Sequence, residues 1–248
     1  MTGVGRRDAP RSSVGALFRE QAKADFRRVG AIAPSGRALA GTLAASITAG
    51  EPGSRRILEV GAGTGAVTTA LVDRLGPADT LVVVEQNPVF AACLGDLVRR
   101  DSACARCGGR VRVVHAHVET LDGDERFHAI VSSLPFNNFT ADEVAGHLRR
   151  FRGMLEPGGS LAFFEYLWVR PLRAAISGRQ ERNRLRGVGR VIAETTRAAG
   201  ATSRIVWWNL PPAVVHVARL PPTELDGRLA ETSDLDHGAP NSGPAPLE

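Results

Sequence analysis

A glycine-rich segment between two apolar runs is the clearest candidate for chemistry in this chain. It directly follows the apolar run at 55–60 and reads Glu59-Val60-Gly61-Ala62-Gly63-Thr64-Gly65-Ala66. Glycines let a chain turn sharply and let a ligand approach the backbone at the start of a helix. Glu85 closes the next apolar run, where a carboxylate can accept hydrogen bonds from the two ribose hydroxyls of an adenosine. The spacing therefore predicts a site for an adenosine-containing ligand.

Two classes of adenosine ligand fit this turn. Gly61, Gly63 and Ala66 satisfy the dinucleotide-binding fingerprint. A dinucleotide domain usually begins with its first strand, whereas about fifty residues of helical character precede the strand here. Glu59 and a terminal antiparallel strand pair also favour S-adenosylmethionine. We therefore expect S-adenosylmethionine as the cofactor.

Polar side chains that could serve an acceptor follow two later apolar runs. Asn137 and Asn138 come after a strand whose carboxyl end should face the donor, and their amide oxygens could accept from an amine. Asparagine is also common in turns for conformational reasons alone. Glu165 and Tyr166 end a further strand, and neighbours in a strand point to opposite faces, so one of them should reach the site. We favour Tyr166, whose phenol can accept from an amine and whose ring can face a methylated cation, with a core-edge tyrosine as the alternative.

An alternation of strand and helix patterns must position these residues. Apolar runs predict strands at 55–60, 80–85, 110–114, 127–134 and 160–168, and helical patterns occupy 66–75, 88–100 and 142–154. This order predicts a parallel sheet covered on both faces. Pro211 and Pro212 alone separate the runs 202–210 and 213–220, which predict a terminal antiparallel pair.

Charge and composition divide the chain into a basic body and an acidic tail. The 248 residues are 43% hydrophobic, enough for one globular domain. The net charge of +5 comprises about −5 from Thr223 onward and about +10 before it. A basic body attracts polyanions, either nucleic acid or an anionic membrane surface. Since no apolar run is long enough to cross a bilayer and the N-terminus has no signal-peptide pattern, we expect a cytoplasmic location.

A metal site is not predicted. Cys104 and Cys107 have the spacing of half a zinc site, and His115 and His117 follow them. A structural zinc needs four ligands, however, and His-x-His at this distance does not match the usual second pair.

The motifs together resemble the class I S-adenosylmethionine-dependent methyltransferases and, more narrowly, the bacterial phospholipid N-methyltransferases. The narrower resemblance spans about residues 14–220 and depends on the segments 33–37, 57–67, 131–138 and 164–166. It implies an α/β fold with a Rossmann-like, seven-stranded, mostly parallel sheet that ends in an antiparallel hairpin. It also implies methyl transfer to phosphatidylethanolamine or its methylated derivatives at an anionic membrane surface. The implied domains are an N-terminal helical lid or membrane-contact segment at 1–50, a methyltransferase domain at 51–222 and a disordered acidic tail at 223–248.

The same resemblance implies roles for individual residues. The cofactor contacts would be Glu59, Gly61, Ala62, Gly63, Thr64, Gly65, Glu85, Gln86, His117, Val118 and Ser132. The catalytic contacts would be Tyr166, Asn137, Asn138 and Glu165. In such enzymes the third strand is commonly followed by an Asp that meets the adenine amino group. His117 stands at that place here, and a ring nitrogen can form a hydrogen bond to adenine instead.

An amphipathic pattern near the N-terminus predicts the membrane contact. Apolar residues recur every four positions, beside a row of cations: Phe18, Ala22 and Phe26, with Arg19, Lys23 and Arg27. Such a stripe is typical of a helix in a membrane interface, or of an ordinary helix that covers a sheet. With the resemblance, we expect a peripheral protein at the inner face of the cell membrane whose partners are an anionic phospholipid surface and a lipid amine.

Two other functions stay open. A basic body and an asparagine-containing loop after the fourth strand are also typical of RNA or rRNA adenine N-methyltransferases. Those enzymes carry Asn-Pro-Pro-Tyr or a near relative, whereas the order here is Leu134-Pro135-Phe136-Asn137, so a nucleic-acid partner is not expected. The departure at His117 leaves a non-catalytic membrane-binding module of the same fold as the third possibility.

Overall fold

The structure, a computed structural model, describes residues 36–48, 54–100 and 110–219, and the structural statements below refer to these residues. Seven strands form one sheet: β1 (Arg56–Val60), β2 (Thr80–Glu85), β3 (Val111–His115), β4 (Phe127–Ser132), β5 (Leu155–Tyr166), β6 (Thr202–Val206) and β7 (Ala213–Arg219). Their order is β3-β2-β1-β4-β5-β7-β6. Strands β1 to β5 are parallel, and β7 runs antiparallel to both β5 and β6. The predicted Rossmann-like α/β fold with a terminal antiparallel hairpin is confirmed.

Helices cover both faces of this sheet. They are α1 (Arg37–Ala44), α2 (Ala66–Val72), α3 (Pro88–Arg100), α4 (Ala141–Gly153), α5 (Val169–Ile176) and α6 (Arg179–Ala198). Short 3₁₀ turns lie at Ala45–Thr48, Val118–Thr120 and Phe136–Asn138. Apolar residues of α1, α2 and α3 form one core layer with the sheet, and those of α4 and α6 form the other. The central strands are therefore buried on both sides, as the nearly continuous apolar runs predicted.

One predicted strand boundary differs from the structure. Strand β5 was predicted at 160–168, but it spans Leu155–Tyr166, because Leu155 already pairs with Phe127 before a register shift that leads to the pairing of Ser160 with Ala129. In the described part of the predicted segment 1–50, Leu39 and Leu43 of α1 are completely buried in the core beside the sheet.

The predicted membrane helix lies outside the described residues. Its residues are Phe18, Arg19, Lys23, Phe26 and Arg27, and the predicted tail at 223–248 also lies outside. Of the helices that are described, none is long and apolar enough to cross a membrane.

Candidate active site

An open cavity lies at the carboxyl edge of the parallel strands. Its volume is about 1330 Å³, including the part that is open to solvent. The loops after β1, β2, β3 and β4 contribute to its lining, together with the end of β5 and α5. Its lining includes Gly61, Ala62, Gly63, Thr64, Glu85, Gln86, Val118, Glu119, Leu134, Asn137, Asn138, Phe139, His147, Tyr166, Val169 and Arg173. Most of the residues predicted for cofactor and acceptor thus meet in one cavity.

The three glycines of the turn all have positive φ but serve different purposes. A Cβ on Gly61 would lie 2.8 Å from Leu134 Cδ2, and a Cβ on Gly65 would lie 2.6 Å from Leu97 Cδ2. These two glycines permit close packing of the turn against its neighbours. Gly63, with φ +55°, has open space where its Cβ would stand and lines the cavity. Gly63 therefore leaves room for a ligand, whereas the predicted cofactor contact Gly65 packs against α3 and is absent from the lining.

Glu85 is held rigidly at the end of β2. Its Oε2 accepts a hydrogen bond from the Gly63 N–H at 2.8 Å, and its Oε1 accepts one from the Asn87 N–H at 2.8 Å. A carboxylate has about four lone-pair positions, so each oxygen keeps one for a further donor. The carboxylate lines the cavity, where two adjacent hydroxyls could donate to it. This geometry fits the ribose-binding role that the sequence predicted.

We predict that Glu85→Gln weakens binding of S-adenosylhomocysteine roughly tenfold or more. The change removes the charge-assisted hydrogen bonds from the ribose hydroxyls to the carboxylate, which are worth about 1.5–3 kcal/mol. It also replaces one carboxylate oxygen with an NH₂ group, which would face the N–H of Gly63 or of Asn87. Isothermal titration calorimetry measures the effect. Asp124→Asn, which removes an exposed acid outside the cavity, is the matched control and should bind like the unchanged chain. Equal affinities of both variants would contradict the assignment.

Glu59 does not line the cavity, which corrects its predicted role as a cofactor contact. It is completely buried, and it points to the same face of β1 as Ile57, towards the core layer that contains α2. Neither carboxylate oxygen accepts a hydrogen bond of ordinary geometry from a described residue. Burial raises the pKa of Glu59 to about 8; the Glu85 carboxylate adds to the rise, and nearby Thr68 opposes it. Glu59 is therefore a buried, proton-binding group beneath the glycine turn.

The raised pKa of Glu59 predicts a pH-dependent stability. The folded carboxyl holds its proton up to about pH 8, against a reference pKa of 4.5 for the unfolded chain. The contribution of Glu59 to the free energy of unfolding should therefore fall as pH rises from about 4.5 to about 8 and then level off. Glu59→Gln lacks this titration, so urea unfolding should show the variant gaining stability relative to the unchanged chain across that window. A difference that is constant with pH would refute the buried, protonated state.

The cavity wall after β3 differs from the prediction. His117 is exposed and does not line the cavity, because the 3₁₀ turn that follows brings the next two residues inward. Val118 and Glu119 line it instead. Glu119 Oε1 lies 3.4 Å from Nδ1 of His147, a buried histidine on α4. The cavity wall therefore contains a carboxyl group two residues after His117, which the strand pattern alone did not reveal.

The loop after β4 contributes Asn137, whose side chain is buried, to the cavity lining. Asn137 is almost completely buried, and its Oδ1 accepts no hydrogen bond from any residue in the described ranges. The neighbouring Asn138 Oδ1 accepts from Arg173 Nη1 at 3.3 Å. Ser132, predicted as a cofactor contact, is completely buried behind the lining, where Ser133 stands instead. Because an unpaired buried acceptor is costly, Asn137 Oδ1 is a candidate partner for a ligand N–H.

An arginine that the sequence analysis missed holds this loop in place. Arg184 of α6 donates from Nη2 to the Asn137 carbonyl at 2.8 Å and also donates to the Phe139 carbonyl. Glu181 pairs with Arg184 at 2.7 Å and with Arg173 at 3.3 Å. These arginines lower the pKa of the Glu181 carboxyl, chiefly through its hydrogen bond to Arg184, so it stays ionised. The cluster of two arginines and one glutamate holds the Arg173 guanidinium beside the cavity, and the Glu143 carboxylate also interacts with Arg184.

The end of β5 places Glu165 and Tyr166 on opposite faces of the sheet. Tyr166 lines the cavity and packs edge-on against Phe164, with ring centroids 5.2 Å apart. Burial raises the pKa of the Tyr166 phenol, so the hydroxyl stays neutral. Glu165 points to the opposite face, where Oε2 pairs with Arg170 at 2.7 Å and Oε1 lies 3.4 Å from His216. The prediction of Glu165 as a catalytic contact is therefore corrected, since pleat alternation turns it away from the cavity.

Comparison with known proteins agrees with this fold. Residues 57–159 match a family model described as a methyltransferase domain. An ornithine lipid N-methyltransferase from Singulisphaera acidiphila is 29% identical over 117 residues, 47% of this chain and 60% of that protein. The biotin biosynthesis bifunctional protein BioCD from Bordetella avium is 38% identical over 112 residues, 45% of this chain and 22% of that protein. The O-methyltransferase from Bacillus cereus, solved in complex with SAH, has a TM-score of 0.54 at 16% identity, covering 84% of this chain and 92% of that one.

The described residues have the Rossmann-like fold of these methyltransferases, and residues 57–159 match the methyltransferase-domain model. This chain spans about three fifths of the ornithine lipid enzyme and about one fifth of the biotin protein.

Proposed function

We propose that this chain is an S-adenosylmethionine-dependent N-methyltransferase that acts on the primary amine of a membrane lipid. The observation that carries the proposal is the buried Asn137 Oδ1, an acceptor without a donor among the described residues, at the far side of the cavity from the ribose-binding Glu85. The reaction class and the cofactor were predicted from the sequence, and the methyltransferase-domain match supports both.

The order of the strands orients the cofactor. The cavity edge runs from Glu119 after β3, past Glu85 on β2 and the glycine turn on β1, to Asn137 after β4 and Tyr166 on β5. At about 4.8 Å between strands, this edge is about 19 Å long. With the ribose on Glu85, adenine would lie towards Val118 and Glu119. The methionine end would then lie along Gly61 and Gly63, and its sulfonium would face the β4 and β5 ends.

The acceptor side of the cavity suits a neutral amine. S-adenosylmethionine, when bound, supplies a sulfonium methyl group that an amine nitrogen can attack only with a free lone pair. The guanidinium of Arg173 lines this side, and its positive charge favours the neutral amine over the ammonium. Asn137 Oδ1 and the neutral Tyr166 phenol offer acceptors for the amine N–H groups, which directs the nitrogen lone pair. The released proton can leave through the open side of the cavity.

A lipid amine is favoured over other acceptors by two considerations. The similar protein from Singulisphaera acidiphila is an ornithine lipid N-methyltransferase, and the motifs of the sequence resemble the phospholipid N-methyltransferases. Phosphatidylethanolamine and ornithine lipids share a primary amine on a membrane lipid, and that shared group is the proposed acceptor. The competing nucleic-acid function lacks its Asn-Pro-Pro-Tyr motif, because Pro135 and Phe136 precede Asn137 here.

We predict that Asn137→Ala and Tyr166→Phe each lower turnover about tenfold or more while leaving the affinity for S-adenosylhomocysteine nearly unchanged. Each removes a hydrogen bond to the amine but no contact in the cofactor half of the cavity. The comparison of kcat with calorimetric affinity separates the two effects. Ser203→Ala, which removes a hydroxyl on β6 outside the cavity, is the control and should leave turnover unchanged. Unchanged turnover by both site variants would overturn the assignment of the acceptor side.

Methyl transfer from labelled S-adenosylmethionine tests the function itself. The acceptors are anionic vesicles with phosphatidylethanolamine, the same vesicles with an ornithine lipid, and total RNA, with phosphatidylcholine vesicles as the blank. We expect label in at least one amine lipid and none in RNA. Label in RNA alone would establish the competing function, and label in none, with cofactor binding intact, would leave a non-catalytic module.

A further inference from the structure

Exposed apolar side chains are concentrated at one place on the surface. Seven large hydrophobic residues of the described ranges are exposed, and six of them lie in two neighbouring segments. These six, which we call the apolar rim, are Trp168, Leu172, Ile176, Trp207, Trp208 and Leu210. Trp208 is 93% exposed, Leu210 86% and Ile176 80%. Apolar groups at such density are unusual on a water-facing surface and mark a place of interaction.

The fold brings both segments of the apolar rim to the mouth of the cavity. Trp168, Leu172 and Ile176 recur every four residues along one face of α5, and Val169 and Arg173 on the adjacent face line the cavity. The turn at 207–212 joins β6 to β7, whose ends at Val206 and Ala213 pair beside Tyr166. The Leu167 N–H donates to the Pro212 carbonyl at 2.9 Å, which ties the two segments together.

The charge around the apolar rim is net positive. Residues 165–182 and 199–219 contain six arginines and two glutamates, and both glutamates are paired, Glu165 with Arg170 at 2.7 Å and Glu181 with Arg173 at 3.3 Å. Arg179 and Arg182 follow α5 directly, are exposed, and form no ion pair with a described residue. Both stand beside Glu181 in the first turn of α6, where the helix dipole adds positive potential. The surroundings of the apolar rim therefore complement an anionic surface.

We propose that the apolar rim inserts into the headgroup region of an anionic bilayer and holds the mouth of the cavity against it. Trp is the side chain most enriched at membrane interfaces, and all three tryptophans of the chain stand in this rim. Arginines beside the inserted side chains add attraction to anionic lipids, as in helices that lie in an interface. The headgroup amines then face Tyr166 and Asn137. The inference rests on the proposed function only in taking a bilayer as the source of the acceptor.

Tryptophan fluorescence of the full chain tests the proposal, because the signal comes only from the rim. The probes are vesicles of phosphatidylethanolamine with phosphatidylglycerol, vesicles of phosphatidylcholine alone, and anionic vesicles with brominated acyl chains. We expect a blue shift of the emission with anionic vesicles, quenching by the brominated lipid, and weaker binding at high salt. The proposal is overturned if the vesicles bind without a shift, which would assign contact to another part of the chain, or if they do not bind. It is equally overturned if the free protein already shows blue-shifted emission that acrylamide does not quench, since the rim would then be covered by the chain itself or by a second copy.

Two double variants locate the contact. Leu172→Ser with Ile176→Ser keeps all three tryptophans, and we expect vesicle partitioning to fall roughly tenfold or more, from the lost burial of two large aliphatic side chains. Arg179→Ser with Arg182→Ser should lower binding to anionic vesicles only. The charge-matched control is Arg149→Ser with Arg152→Ser. Both arginines are exposed and lie near the C-terminal end of α4, outside both segments of the apolar rim, so this variant should bind like the unchanged chain. Vesicle binding with the expected shift but without methyl transfer would overturn the proposed function and leave the rim intact.

Discussion

The hydrogen bonds of the Glu85 carboxylate to two backbone N–H groups hold the site together. One bond reaches Gly63 in the turn after β1, and the other reaches Asn87 after β2, so a single side chain joins two loops that are far apart in sequence. The bond to Gly63 requires the turn to be sharp, which the positive φ of its glycines permits. A carboxylate bound in this way stays fixed at the cavity while keeping lone pairs for a ligand. Everything proposed for the donor side depends on this arrangement.

The loop that contains Asn137 is held in place by a helix that lies far from it in sequence. Arg184 on α6 reaches back to the carbonyls around Asn137, so the long helix after β5 decides where the buried amide stands. The segment before that helix, α5, contributes Arg173 to the cavity and the apolar face of the rim to the surface. One continuous stretch of chain thus couples the position of the acceptor groups to the surface that would meet the lipid. A bilayer contact there would order the same elements that orient the amine.

Local patterns were sufficient to predict the glycine turn, the alternation of strands and helices, and the placement of Glu165 and Tyr166 on opposite faces of their strand. Each of these depends on residues close in sequence, such as a period of two in a strand. Glu119 was missed because a short 3₁₀ turn, which has no clear sequence signal, rotates it inward in place of His117. Arg184 was missed because its contact spans 47 residues. The exposed rim was missed because a strand pattern at 202–210 does not show that its last residues leave the sheet.

A crystal structure of this chain with S-adenosylhomocysteine bound would test the central claim most directly, namely that the carboxyl edge of β1 to β5 is a single directional site. We predict that both ribose hydroxyls donate to Glu85, that adenine lies against Val118 and Glu119, and that the sulfur faces Asn137 and Tyr166. A ligand bound in the reverse direction, with adenine at the β5 end, or bound away from the glycine turn, would contradict the account.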